Sequence, residues 1–199
     1  MTMITADAVK ELRDRTGAGF MDCKRALEAS DGDVDRAVTM LRERGLAAAA
    51  KKADREVREG LVSSYIHTGG RVGVLIEVNC ETDFVARTDE FARLVRDLAV
   101  QVAGLSPLYV DVDRIPAEDL ESKTTELQAD PALAAKPSEV AARIVDGQLK
   151  KWYREVCLLE QPFRDEERSV RDLVTDRIAT IGENIVVRRF VRYALGEDR

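Results

Sequence analysis

The period of the hydrophobic pattern changes after Gly60, and this change constrains the fold more than any other feature of the chain. Before Gly60, apolar residues recur at the three- and four-residue spacing of helices, whereas after it they alternate with polar residues as in strands. Residues 61–68 and 71–81 are therefore predicted to pair as a β-hairpin around Gly69-Gly70, which readily adopts the positive φ angles of a tight turn. Separate helical and strand segments of this kind predict an α+β protein.

The first part of the chain predicts three short helices within residues 1–45. Two breaks separate them, at residues 16–19 and 31–33, where glycine interrupts the helical spacing. Thr5 and Asp33 are candidate N-caps, because a short side-chain oxygen accepts a hydrogen bond from an unpaired N–H of the first turn. These elements predict a compact three-helix domain.

Composition predicts where this helical domain ends. We expect the third helix to end before Gly45, because glycine favours the close of a helix. Residues 46–59 are rich in alanine and in charge, which is typical of a helical or fraying connector that buries little. The predicted organisation is therefore a three-helix domain with its connector at residues 1–54, followed by an α+β core at residues 55–199.

The α+β core is predicted to hold a small antiparallel sheet flanked by helices. Residues 185–193 alternate and add a third strand to the hairpin, and Leu108-Tyr109-Val110 is a further strand candidate. Between these strands, apolar residues return to helical spacing between capping and breaking residues. Helices are expected from Asp89 to Gly104 with Thr88 as N-cap, from Glu118 to Gln128, from Pro137 onward, and from Ser169 to Gly182.

Composition and charge argue against several functional classes. The chain has 31 basic and 37 acidic residues and a formal net charge of -6, which is unfavourable for a protein that follows a phosphate backbone. Its N-terminus lacks a basic stretch followed by an apolar one, and no apolar run approaches the roughly 18 residues of a membrane helix. We therefore expect a cytoplasmic protein that binds neither nucleic acid nor membrane.

Residues that usually carry catalysis or bind metals are sparse. Cys23, Cys80 and Cys157 are well separated, and they fit buried apolar positions in a reducing compartment better than a disulfide framework. His67 is the only histidine and lies in a predicted strand, so a multi-histidine metal site is excluded. A thiol enzyme using Cys80 and His67 is a rival interpretation, but the sequence supplies no orienting third residue. Phosphate-binding glycine motifs are also missing from the sequence, so we expect no cofactor, no metal and no enzymatic activity.

Several residues fit either a structural or a binding role when they are considered singly. Phe84 suits the core of the connection after the hairpin, and Thr82-Asp83 suits a helix cap. Phe20 and Met21 suit either the interior of the helical domain or its surface, while Lys24 suits a solvated position. The three helices with their Gly-Ala-Gly-Phe loop also allow a rival interpretation as an adaptor for ubiquitin-like proteins.

Motifs spread over nearly the whole chain are similar to those of one known family. They are Ile4-Thr5, Val9-Lys10-Glu11-Leu12-Arg13, Arg15-Thr16-Gly17-Ala18-Gly19, Asp22-Cys23-Lys24, Asp31-Gly32-Asp33, Ala49-Ala50-Lys51-Lys52-Ala53, Glu77-Val78-Asn79-Cys80-Glu81-Thr82-Asp83-Phe84-Val85-Ala86, Gln161-Pro162-Phe163, Gly182-Glu183-Asn184-Ile185 and Arg189-Phe190. In this order they resemble bacterial elongation factor Ts, the guanine nucleotide exchange factor of elongation factor Tu. Such wide coverage makes the resemblance specific.

The resemblance implies a fold, a partner and a mechanism. The fold is a ubiquitin-associated-type (UBA-like) helical domain joined to an α+β core. The partner is elongation factor Tu in its GDP-bound form, which itself holds the nucleotide and the magnesium ion. The tetrapeptide that matches Thr82-Asp83-Phe84-Val85 enters the partner and displaces the magnesium ion, which loosens GDP. Phe84 is the expected wedge.

The same resemblance implies a second contact and an oligomeric state. By motif position, Arg13, Phe20, Met21 and Lys24 of the helical domain are expected to contact the partner, although this family often has methionine where Phe20 stands. The chain resembles the short form of the family, in which the second core subdomain of longer relatives is expected to be missing. We hypothesise that a second copy takes its place, which gives a homodimer through the α+β core.

Overall fold

Helices and strands follow one another along the chain as the two hydrophobic periods predict. The computed structural model describes residues 4–133 and 136–197. Its helices are α1 Ala6–Thr16, α2 Phe20–Ala29, α3 Val34–Ala50, α4 Asp83–Ala86, α5 Asp89–Leu105, α6 Ala117–Gln128, α7 Ser138–Val156 and α8 Val170–Ile181. Its strands are β1 Glu59–Ile66, β2 Val72–Cys80, β3 Pro162–Phe163, β4 Asp165–Ser169 and β5 Ile185–Ala194.

The strands form two small sheets. The larger is a three-stranded antiparallel sheet in the order β1-β2-β5, so the second strand of the hairpin lies at its centre. The strand predicted at residues 185–193 is confirmed as β5. Strands β3 and β4 form a separate antiparallel pair. Helices precede and separate these strands, which confirms the α+β class.

The chain divides into two compact units, each built from several chain segments. Unit 1 comprises Met1–Val62, Glu77–Val95 and Asp172–Val187. Unit 2 comprises Ser63–Ile76, Arg96–Arg171 and Arg188–Arg199. These units group residues by contact, whereas the predicted boundary between residues 54 and 55 divides the chain by its order, so that boundary stays a prediction.

The three N-terminal helices enclose a small core within unit 1. Its buried members are Val9, Leu12, Cys23, Ala26, Leu27 and Ala37. Thr5 Oγ1 accepts a hydrogen bond from the N–H of Ala8 at 3.2 Å, and Asp33 Oδ1 accepts one from the N–H of Arg36 at 3.0 Å. Both predicted N-caps are therefore confirmed.

The third helix is longer than predicted. It continues past Gly45 and ends at Ala50. A glycine inside a helix costs only about 1 kcal/mol relative to alanine, and the alanines at 47–50 favour helix on its C-terminal side. Gly45 is buried, and a Cβ built on it would lie 3.7 Å from the Cβ of Ala179 in α8. The glycine therefore lies where two helices of unit 1 pack, and it does not end the helix.

Strand β2 and helix α5 bury the apolar faces that their patterns predict. The buried residues of β2 are Val74, Ile76, Val78 and Cys80, and those of α5 include Phe91, Leu94, Val95, Leu98 and Val102. Thr88 Oγ1 accepts a hydrogen bond from the N–H of Phe91 at 3.2 Å, so Thr88 caps α5 as expected. The period of two in β2 and the period near 3.6 in α5 each place the apolar residues on one face of the element, and that face is buried.

Two local expectations were wrong. His67 does not lie in a strand, because β1 ends at Ile66 and the hairpin turn already begins at His67, whose carbonyl oxygen accepts a hydrogen bond from the N–H of Gly70 at 2.9 Å. The segment around Tyr109 forms an isolated parallel bridge with Cys157 in place of the expected strand. The second error comes from a short apolar run whose bridge partner, Cys157, is distant in sequence.

Candidate functional site

Phe84 lies on an exposed helical turn, α4, between strand β2 and helix α5. Its side chain is 78% exposed, more than that of any other large apolar residue in the described part of the chain. Val85 and Ala86 follow it, are each 6% exposed, and anchor the turn within unit 1. The alternative role of Phe84 as a core residue is therefore wrong, and its ring is available for contact.

Thr82 begins this turn and acts as its N-cap. Its backbone is extended, and its Oγ1 accepts a hydrogen bond from the N–H of Val85 at 3.3 Å. The cap satisfies one of the N–H groups that the start of a helix leaves unpaired. Asp83 is exposed, and its carboxylate pairs with Arg87 one turn later, at 2.7 Å. The cap predicted for Thr82-Asp83 thus comes from the threonine.

A carboxylate from the C-terminal part of the chain holds the residues that precede the turn. Glu183 Oε2 accepts hydrogen bonds from the N–H groups of Glu81 and Thr82, both at 3.1 Å. Glu183 Oε1 accepts one from the Thr82 hydroxyl at 2.6 Å. Glu183 follows Gly182, which has a φ of +88° and ends α8. One side chain therefore binds two backbone amides and one hydroxyl.

A further hydrogen bond joins the same two chain segments in the opposite direction, from a backbone N–H beside Glu183 to the side chain of Glu81. Glu81 Oε1 accepts a hydrogen bond from the N–H of Asn184 at 2.6 Å. Asn184 is buried, and its Nδ2 donates to the carbonyl oxygens of Ala53 and Arg55 at 3.2 and 3.0 Å. We call this set of hydrogen-bonded residues the interlock, and it consists of Glu81, Thr82, Glu183 and Asn184. It joins the Phe84 turn to the segment that follows α3.

Cys80 ends strand β2 and is fully buried, as are Cys23 and Cys157, so the predicted structural role of the cysteines is confirmed. The Cys80 thiol donates a weak hydrogen bond to the carbonyl oxygen of Thr82 at 3.2 Å. Burial, and next the charge of Glu183, raises the pKa of this thiol to about 11. Such a thiol is protonated and weakly nucleophilic at neutral pH, which argues against the thiol-enzyme interpretation.

The second group of expected contact residues lies where α1 meets α2 in unit 1. Arg13 is in the last turn of α1, and Phe20 and Met21 are the first residues of α2. Phe20 and Met21 are 51% and 57% exposed, so they belong to the surface of the helical domain and not to its core. Lys24 is exposed one turn further along α2. All four side chains are exposed, and two of them are apolar and two cationic.

Sequence reasoning and structure differ on the membership of the site. Thr82, Asp83 and Phe84 are exposed, whereas Val85 is buried and serves to anchor the turn. The interlock residues Glu81, Glu183 and Asn184 were not predicted to belong to the site. The available signal was their position, since the glutamate directly follows a strand and Gly-Glu-Asn directly follows a helix.

In the part of the chain that the structure describes, no group of three or more histidine, cysteine, aspartate or glutamate side chains is arranged to hold a metal ion. Among the same residues, no helix combines the length and the apolar character required to cross a membrane.

Known proteins are similar to this chain over nearly its whole length. The family model described as Elongation factor TS matches residues 33–176. Elongation factor Ts of Carboxydothermus hydrogenoformans is 56% identical over 196 residues, which cover 98% of this chain and 90% of the relative. Elongation factor Ts of Thermoanaerobacter sp. is 55% identical over 196 residues, covering 98% and 96%. That of Oleidesulfovibrio alaskensis is 52% identical over 197 residues, covering 98% and 100%.

The similarity to translation elongation factors spans nearly the whole chain, and the chain is therefore a translation elongation factor. Within that class it belongs to the elongation factor Ts family, because the similarity spans almost all of this chain and of these relatives. The resemblance inferred from the ordered motifs is confirmed.

Proposed function

We propose that this protein is a guanine nucleotide exchange factor for elongation factor Tu. It binds the GDP-bound partner in the cytoplasm, displaces the partner's magnesium ion and promotes the release of GDP. It changes the affinity of the partner for its nucleotide without forming or breaking a covalent bond, so it is not an enzyme in the usual sense. The name shared by its relatives supports the proposal, and the exposed Phe84 turn is the observation that carries it.

The Phe84 turn has the properties of a pre-organised wedge. Its ring is exposed in the free protein, and burying a phenylalanine side chain contributes about 1.5–3 kcal/mol. The backbone in front of it is already fixed by the Thr82 cap and by Glu183, so little conformational entropy is lost when the ring enters a partner. Thr82 and Asp83, both exposed, present polar groups beside the ring.

Phe84 cannot supply all of the driving force for exchange. A thousandfold weakening of GDP binding requires about 4 kcal/mol, at about 1.4 kcal/mol for each tenfold step, which exceeds the contribution of one buried phenylalanine. Because the coupling is reciprocal, GDP weakens the binding of the exchange factor by the same factor. A second contact must therefore hold the partner during release.

The group at the junction of α1 and α2 is suited to provide this second contact. Phe20 and Met21 offer adjacent exposed apolar side chains, and Arg13 and Lys24 add two positive charges. Such a surface fits an apolar patch of the partner that is flanked by carboxylates, because complementary charge fixes the orientation of docking. We assign binding affinity mainly to this group and the release step mainly to Phe84.

Stopped-flow release of fluorescent GDP from elongation factor Tu tests the proposal. Wild-type protein is expected to accelerate release, and Phe84→Ala to reduce the stimulated rate by about tenfold or more, as the loss of 1.5–3 kcal/mol requires. Leu46→Ala is the matched control. Leu46 is also an exposed apolar residue of unit 1, but it lies outside both contact groups, so wild-type stimulation is expected.

Partner binding is measured in parallel by pull-down of elongation factor Tu. Phe84→Ala is expected to retain the partner, because Phe20 and Met21 are unchanged. An unaltered stimulated rate for Phe84→Ala would contradict the wedge role. Failure of the wild-type protein to accelerate release would contradict the exchange function itself, and failure to recover the partner would favour the adaptor interpretation.

We also propose a homodimer, formed through an exposed apolar surface of unit 2. The residues that carry it line one open groove and are Ile66 of β1, Leu75 of β2, Tyr193 of β5 and Leu195 just after β5. We call this the sheet surface. Exposed apolar patches on a sheet favour burial against another apolar surface. Two copies related by a twofold axis present the same residues to each other, so each copy supplies the surface that the other needs.

A further inference from the structure

The Phe84 turn has little means of holding its own position. It is a helix of four residues, Asp83–Ala86, and isolated helical segments of this length are unstable because nucleation is unfavourable. The Phe84 ring is exposed and contributes little packing within the free protein. Val85 and Ala86 anchor the C-terminal side of the turn by burial. The position of its N-terminal side depends on polar contacts.

Glu183 supplies those polar contacts, and because both of its carboxylate oxygens take part, they fix the orientation of the turn as well as its position. The Thr82 hydroxyl donates to Glu183 Oε1, and so its oxygen is free to accept the hydrogen bond from the N–H of Val85. Glu183 Oε2 meanwhile receives the two N–H groups of Glu81 and Thr82. The carboxylate therefore fixes both the backbone that enters the turn and the side chain that caps it.

Asn184 connects this arrangement to the segment that follows α3. Its backbone N–H donates to Glu81, and its side-chain amide donates to the carbonyl oxygens of Ala53 and Arg55. Arg55 and Glu81 also form an ion pair at 3.5 Å. The hydrogen bonds of two consecutive residues, Glu183 and Asn184, thus join the start of the Phe84 turn to the segment that follows α3.

We propose that Glu183 is a positioning residue for Phe84: through the interlock it holds the exposed ring in a fixed place relative to the segment that follows α3. This inference rests on the proposed exchange function and adds to it a role for Glu183, which lies about a hundred positions after the Phe84 turn in sequence. Glu183 acts through Thr82 and Glu81, so its effect on GDP release requires that Phe84 be present.

Glu183→Ala is expected to lower the maximal stimulated rate of GDP release about tenfold, because a mobile turn places the ring correctly for only a fraction of the time. The concentration for half-maximal stimulation should change less than about threefold, since the Phe20 and Met21 contact is intact. Glu183→Gln is the conservative variant. Its amide oxygen still accepts from the Thr82 N–H and its NH₂ donates to the hydroxyl, so a rate within about threefold of wild type is expected.

A double-mutant cycle separates positioning from a general loss of structure. If Glu183 acts only by placing the ring, adding Glu183→Ala to Phe84→Ala should slow release less than about twofold beyond Phe84→Ala alone. Glu90→Ala is the matched control, because Glu90 is also a half-buried carboxylate of unit 1 and pairs with Arg177 at 3.1 Å. Its effect should be small and should combine additively with Phe84→Ala.

Hydrogen–deuterium exchange of the free protein gives a readout that does not involve elongation factor Tu. Glu183→Ala is expected to accelerate exchange of the Glu81, Thr82 and Val85 amides at least about tenfold, while the buried centre of α5 keeps its protection. Should Glu183→Ala fail to fold, Glu183→Asp replaces it, because that variant keeps the charge but shortens the side chain by one methylene.

The outcomes distinguish this inference from the proposed function. Unchanged exchange of these amides would overturn the positioning role, whatever the protein does to GDP. Full additivity of Glu183→Ala with Phe84→Ala would overturn it as well, and so would a wild-type rate in a folded Glu183→Ala variant. Accelerated amide exchange together with no GDP release by the wild-type protein would instead refute the exchange function and leave the interlock as a structural contact.

Discussion

Adjacent apolar residues of α4 have opposite environments, since Phe84 is exposed and Val85 is buried. Helix geometry causes this difference, because successive residues are rotated by about 100° around the axis and a single turn faces the core with only part of its residues. The start of the turn also depends on Cys80, whose thiol donates to the carbonyl oxygen of Thr82. The protonation of this one thiol is therefore linked to the stability of the fold around the site.

Raising the pH is expected to destabilise the protein through Cys80. The thiol has an ordinary pKa of 9.0 and a pKa of about 11 in the folded protein. Between these two values the unfolded chain has lost the proton and the folded chain keeps it, so the free energy of unfolding falls as pH rises. Below the lower pKa the thiol makes its full contribution to the free energy of unfolding, about 2–3 kcal/mol. This contribution is lost as the pH rises towards the upper pKa.

Urea unfolding at several pH values measures this contribution. The difference in unfolding free energy between wild type and Cys80→Ala should shrink by about 2–3 kcal/mol from about pH 8.5 to about pH 11. Val78→Ala is the control, because Val78 is buried on the same face of β2 and does not titrate. A difference for Cys80→Ala that stays constant with pH would show that folding does not raise the pKa of this thiol.

At the scale of elements, the pairing of β1 with β2 depends on Gly60. This residue has a φ of +146°, and a Cβ built on it would lie 2.2 Å from the carbonyl oxygen of Val78 and 2.7 Å from the Cα of Asn79. Both neighbours are backbone atoms, so a side chain could be accommodated only by separating the strands. Gly60→Ala is therefore expected to lower the free energy of unfolding by about 2–4 kcal/mol, measured by urea denaturation.

Gly70→Ala in the hairpin turn is the matched comparison for this substitution. Gly70 also has a positive φ, +67°, but its Cβ position has no heavy atom within 4 Å. Its substitution carries only the conformational cost of about 1–2 kcal/mol. Equal losses for the two variants would show that the close approach of β1 to β2 is not what requires glycine at position 60.

The elements that could be predicted from sequence are those whose causes are local. Thr5 and Thr88 cap helices by accepting N–H groups three residues later, so both hydrogen-bonding partners lie within one short window. The buried faces of β2 and α5 follow from spacing in the same way. The hydrogen bond between Thr82 and Glu183 joins residues 101 positions apart, so no local pattern contains both partners. The exposure of Phe84 also depends on tertiary packing, and only the family resemblance indicated it beforehand.

At the scale of the whole molecule, the sheet surface predicts the oligomeric state. Tyr193 is 72% exposed and Ile66 65%, which is costly for apolar side chains in water unless a second surface covers them. Wild-type protein at micromolar concentration is expected to have twice the chain mass of 22.2 kDa by light scattering coupled to size exclusion. Ile66→Ser combined with Tyr193→Ser should lower the measured mass to that of one chain, because the buried apolar area is lost from both copies at once.

The matched control for this double variant is Leu108→Ser. Leu108 is an exposed apolar residue of unit 2 that does not line the groove of the sheet surface, so its substitution should leave the mass at two chains. Helical content measured by circular dichroism should be equal in all three proteins, because each substituted side chain is exposed. A wild-type protein with the mass of one chain would contradict the homodimer. A double variant that keeps the mass of two chains would place the interface on another surface.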